Sequence, residues 1–99
     1  MLENSLFGLP RIAVIHYRFW DDECVIYNQL TGETHLVNGM GAELFRLISQ
    51  KPVTRTQLLQ SILSIFELEI DSDVEGLVDN LILEYQKLGL LAVIENTPA

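Results

Sequence analysis

The chain has 99 residues, 48% of them hydrophobic, which suits one modest core and a single domain over residues 1–99. Its 14 acidic residues against 6 basic ones give a net charge of −8, a balance that repels phosphate backbones and anionic lipid and argues against nucleic acid as the partner. No apolar run is long enough to span a bilayer, Met1–Ser5 lacks the pattern of a secretory signal, and Cys24 is the single cysteine, so a reducing cytoplasm without membrane contact is the expected setting.

Residues 1–10 read as a loosely held lead-in, and residues 11–37 as a sheet. Arg11 to Trp20 is rich in Ile, Val, Tyr, Phe and Trp, which favour pleated backbone. Asp21-Asp22 interrupts it as a turn, and Glu23 to Asn28 forms the second strand. Gln29 to Gly32 supplies another turn, with Gly32 suited to a positive φ, and Glu33 to Val37 returns as a third strand. The three form an antiparallel meander.

From Asn38 the hydrophobic period becomes helical, and residues 38–95 form the helical part. Asn38 is the expected N-cap of a first helix that presents Met40, Leu44, Phe45, Leu47 and Ile48 on one side and ends before Pro52. Thr54 and Gln57 form a capping box for a second helix, whose apolar stripe is Leu58, Leu59, Ile62, Leu63, Ile65 and Phe66. Ser72 and Glu75 suggest a capping box for a third helix, running to Leu88 with Gly89 at C′. Its apolar face spans Val74, Leu77, Val78, Leu81, Ile82, Tyr85 and Leu88, and Leu83 falls on the opposite side. Leu90 to Glu95 reads as a short terminal strand, and residues 96–99 as a tail. The fold class is therefore α+β: a three-stranded antiparallel meander followed by a three-helix, winged-helix-like bundle.

Chemistry-bearing groups are few. His16, His35 and Cys24 lack the spacing of paired metal ligands and read as sheet side chains. Asp21, Asp22 and Glu23 read as a solvated acidic turn. Tyr17, Phe19 and Trp20 could form a peptide-binding cluster, with core or sheet packing the expected role of at least one of them, and Cys24 has no cationic neighbour in sequence to activate it. No catalytic set, metal site or cofactor is expected. If Asn28 faces Glu33, then Val25, Tyr27 and Leu36 share one sheet face, and if Val37 faces the helices that face is the outer one. That face would serve self-association or an enzyme partner unless Leu2 to Pro10 folds over it.

Several pieces together resemble the PqqD-like peptide chaperones, also described as RiPP recognition elements. They are Val37-Asn38 with Ala42, Leu44, Phe45 and Leu47, then Asp73-Val74, then Leu88-Gly89-Leu90-Leu91. Trp20-Asp21, Tyr27-Asn28 and Thr31 to Leu36 are similar to a narrower branch found in HPr-rel-A systems. The resemblance covers nearly everything after Arg11 and implies a non-catalytic module. A precursor or partner peptide would add as a strand beside Thr34, His35, Leu36 and Val37. Val78, Ile82 and Tyr85 of the third helix would contact its side chains. The module would present the peptide to a modifying enzyme, in this branch one related to HPr kinase. The alternative class is a winged-helix transcription regulator, which the acidic third helix disfavours.

Overall fold

The computed structural model describes residues 5–12 and 14–94. In chain order the elements are β1 (Leu6–Gly8), β2 (Ile15–Trp20), β3 (Glu23–Asn28), β4 (Glu33–Asn38), α1 (Gly39–Gln50), β5 (Val53–Thr54), α2 (Arg55–Ile65), α3 (Ser72–Lys87) and β6 (Ala92–Ile94). They make two antiparallel three-stranded sheets, ordered β2-β3-β4 and β5-β1-β6, and three helices.

The meander has the register that its turns dictate. Asn28 lies opposite Glu33, Ile26 opposite His35, and Cys24 opposite Val37. With a side-chain period of two, Tyr17, Phe19, Cys24, Ile26, Asn28, His35 and Val37 share the inner face. Cys24, Ile26 and Asn28 on the central strand are fully buried there. Against them pack Leu44, Phe45 and Ile48 of α1, with Leu58 and Ile62 of α2 and Val78, Ile82 and Tyr85 of α3 completing the core. An aromatic column runs through this layer. Tyr17 meets Phe45 edge-on at 5.3 Å between centroids, and Phe45 meets Tyr85 edge-on at 6.4 Å. Arg46 lies over Phe19 at 4.0 Å. Trp20 points the other way and carries the Arg18 guanidinium at 5.9 Å.

The second sheet corrects the expectation of a loose lead-in. Leu6–Gly8 is the central strand β1, with Phe7 opposite both Val53 and Val93. Phe7 and Val53 are buried beneath the helices, which supplies the drive for ordering so short a strand. The first meander strand starts at Ile15 rather than Arg11, because Arg11 and Ile12 lie exposed between the two sheets.

The helix ends differ in detail from the sequence expectation. The Thr54–Gln57 capping box is present, with both reciprocal bonds made (3.1 and 2.9 Å). Asn38 occupies the N-cap of α1 in extended backbone, yet its side chain makes no cap bond. In α3 the cap is Asp71, whose carboxylate accepts from the Val74 amide at 2.8 Å, not Ser72. The end of α3 is a Schellman turn. Gly89 sits at φ +73°, its amide donates to the Gln86 carbonyl (3.1 Å), and the amide of buried Leu90 donates to the Tyr85 carbonyl (2.9 Å).

Candidate functional site

β4 pairs with β3 along one edge, and among the described residues no strand pairs with the other. Thr34, His35, Leu36 and Val37 lie on this open edge strand. Thr34 and Leu36 project from the outer face, and His35 and Val37 from the inner one. Leu36 is 65% exposed and His35 is half-buried.

Two hydrogen bonds fix where α3 lies relative to this strand. Asn28 Nδ2 donates to the Gly89 carbonyl at 3.3 Å, which ties the end of α3 to the residue facing Glu33 across the sheet. The same side chain's Oδ1 accepts from the amides of Leu30 and Thr31, organising the turn into β4. At the other end of β4, the Tyr85 hydroxyl donates to the Gly41 carbonyl at 2.8 Å. A Cβ built on Gly41 would sit 2.8 Å from that hydroxyl and 3.7 Å from Leu81 Cδ2, so the missing side chain is what lets α3 approach.

The opposite margin of α3 is held elsewhere. Arg55 at the start of α2 donates through Nε and Nη2 to the two Asp79 oxygens (2.6 and 3.0 Å) and through Nη2 to Glu75 (3.2 Å). Those carboxylates hold the guanidinium pKa above its usual value. The helix therefore turns its Asp79 side to α2 and its Leu81 side to the β4–α1 junction. With a helical period of 3.6, Leu77, Leu81 and Leu88 fall on that second side. Leu77, expected within the apolar core face, is in fact 53% exposed, while Leu81 and Leu88 are half-buried. An apolar strip of α3 thus faces the junction that ends the open strand. Leu83 sits on the other margin, over a shallow cavity of about 230 Å³ that Phe7, Ile82 and Gln86 also line.

Val78, Ile82 and Tyr85, expected to meet a ligand directly, lie beneath this strip in the core, at most 6% exposed. Sequence periodicity places them toward one margin of the apolar face, and the structure buries that margin. The exposed margin beside them could have been found from Leu77, an apolar residue at the edge of a face otherwise ample for the core.

The remaining polar groups carry no visible chemistry. His16 and His35 stand on opposite faces of the sheet, so the structure does not bring them together with Cys24. His16 bonds to Gln29 Oε1 at 3.0 Å and stacks on Tyr27. Cys24 is fully buried, and burial raises its thiol pKa above 9.0, away from a reactive thiolate. Among the described residues no group of His, Cys, Asp or Glu is arranged to hold a metal ion, and no helix is long and apolar enough to cross a membrane. His35 Nε2 is buried without a hydrogen-bond partner; Glu33 Oε1, at 3.7 Å, is beyond bonding distance.

Among the described residues nothing covers the outer face of the meander. Leu36, Trp20 and Tyr27 are 65%, 50% and 39% exposed there. The described part of the lead-in does not fold over it, since Leu6–Gly8 belongs to the other sheet.

A two-sheet α+β domain with an unpaired strand edge beside an apolar helix margin is the class these features define. The chain belongs to the PqqD family: the model of that family, described as coenzyme PQQ synthesis protein D, matches residues 23–85, more than half the chain and all of the segment from β3 into α3. Among solved structures, the chain described as TbiB1 in complex with the TbiA(beta) leader peptide is similar at a TM-score of 0.71. The match covers 93% of this chain and 99% of that one at 18% identity, a likeness of fold. No curated protein matches the chain.

Proposed function

We propose that this protein is a non-catalytic peptide-binding adaptor that captures a segment of a precursor or partner protein by strand addition to β4 and presents it to a modifying enzyme. The observation that carries this reading is the unpaired β4 edge with the Leu77–Leu81–Leu88 margin turned to the junction at its end. An open edge offers N–H and C=O groups to any extended peptide, and pockets beside it select among side chains. The similar TbiB1 structure contains a leader peptide, which supports the same role here. Backbone pairing falls to Thr34, His35, Leu36 and Val37. Val78, Ile82 and Tyr85 form the floor, and the leucine margin meets the peptide's apolar side chains.

Ordering a disordered segment on binding costs on the order of 2–5 kcal/mol, so moderate affinity and ready release to an enzyme are expected. The resemblance of the strand region to the HPr-rel-A branch makes a protein related to HPr kinase the candidate recipient. The outer face stays exposed while the edge is filled, and we assign to it the contact with that enzyme or with a second copy. Sedimentation and enzyme pull-down of the wild type and Leu36→Lys test this. A strict monomer whose enzyme binding survives the substitution contradicts it.

A DNA-binding role is not supported by the third helix. It carries Asp73, Glu75, Asp79 and Glu84 against Lys87 alone, and charge of that sign opposes phosphate contact. Titration of a captured peptide against isotope-labelled protein tests the main reading. Amide shifts are expected to concentrate in residues 34–37 and 74–88; binding that leaves both segments unshifted refutes it.

A further inference from the structure

The docking site proposed above has a charge pattern that specifies its ligand further. Five of the six Lys and Arg residues lie away from the edge strand and the leucine margin. Arg55 is locked to Asp79 and Glu75 on the far side of α3. Arg46 lies over Phe19 beside Glu43, and Arg18 over Trp20 on the outer face. Arg11 and Lys51 line one cavity at the end of α1. Lys87 is exposed at the end of α3, three residues after Glu84, and is the one cation that neighbours the strip.

Acidic groups occupy the positions the cations leave. Glu33 opens β4 and is exposed. On α3 the order Asp73, Leu77, Leu81, Glu84, Leu88 advances by three or four residues at each step, so the two exposed carboxylates lie along the apolar strip itself. A strand added to β4 would lie about 4.8 Å from it. That is well inside the screening length of about 8 Å at physiological ionic strength.

We infer that the segment accepted by β4 is a basic peptide, with apolar residues facing the leucine strip and Lys or Arg beside Glu33, Asp73 and Glu84. The acids favour that ligand and repel acidic segments, so selection is exercised partly by exclusion. A competing explanation is that charge on the edge only prevents two copies of β4 from pairing. It requires no charge preference among bound peptides.

Selection of random displayed peptides on the immobilised full chain separates the two. Peptides enriched on the wild type are expected to be rich in Lys and Arg, and their affinity to fall as salt is raised. Charge reversal by Glu33→Lys with Glu84→Lys is expected to shift the enriched pool toward Asp and Glu. The same reversal at Asp21→Lys with Glu23→Lys, at the β2–β3 turn and on the outer face, leaves the basic preference in place. Neutralising Glu33 or Glu84 alone as Gln should weaken a selected basic peptide roughly two- to fivefold. Peptides that perturb β4 but show neither basic enrichment nor salt dependence overturn this inference and leave the docking site standing. Enriched peptides that leave β4 unperturbed, or no enriched peptide at all, overturn both.

Discussion

Tyr85 joins the core to the docking edge through one atom. Its ring is buried against Phe45, and its hydroxyl satisfies the Gly41 carbonyl just beyond β4. Tyr85→Phe removes this side-chain donor from a carbonyl that already lies in the α1 ladder and is expected to cost roughly 0.5–1.5 kcal/mol in denaturant melts, with the fold retained. Gly41→Ala drives a methyl into the hydroxyl and should destabilise by a similar route. Burial raises the Tyr85 pKa above its ordinary 10.0 and that of Cys24 above 9.0. The folded state therefore holds both protons more tightly than the unfolded chain. The sign follows: stability is intact below pH 9.0 and declines as pH rises through the ordinary values of 9.0 and 10.0 toward the raised ones. Tyr85→Phe should flatten the upper part of that decline in melts taken across alkaline pH. His35 gives the opposite expectation. Its Nε2 is buried without a bond, so His35→Leu removes an uncompensated polar atom and should leave the melting temperature unchanged or higher.

At the level of elements, the local signals that depend on neighbouring residues were readable. The Thr54–Gln57 box, the Gly32 turn at φ +79° and the Gly89 terminus all lie where the sequence puts them. The cap of α3 is displaced by one position because Asp71 and Ser72 are both good cap residues, and only the folded backbone decides which carbonyl and amide it joins. Asp71→Ala is accordingly expected to cost about 1 kcal/mol in thermal melts, and Ser72→Ala no more than a few tenths. β1 was not readable, because its partners are Val53–Thr54 and Ala92–Ile94, far away in sequence, and three residues show no period. The candidate edge was readable from Thr34 to Val37 as a strand. The facing margin of α3 was not, because the choice rests on Asn28, Gly41 and Arg55 meeting the helix from three other elements.

For the whole molecule, the two sheets divide the work. The small β5-β1-β6 sheet closes the helical layer from one side, while the meander covers the aromatic column and leaves β4 with an open edge. α3 is clamped to α2 along one margin and hydrogen-bonded near both ends of β4, so the edge and the leucine strip are held before any ligand arrives. Such preorganisation confines the entropic cost of binding largely to the peptide. The measurement that tests strand addition most directly is backbone hydrogen exchange of the protein with and without a saturating selected peptide. The structure predicts slowed exchange at amides of β4 and of the Leu77–Leu88 stretch of α3, with α2 and the β5-β1-β6 sheet little changed. Saturating binding that leaves β4 exchange unaltered, with protection confined to α2 or the small sheet, contradicts it.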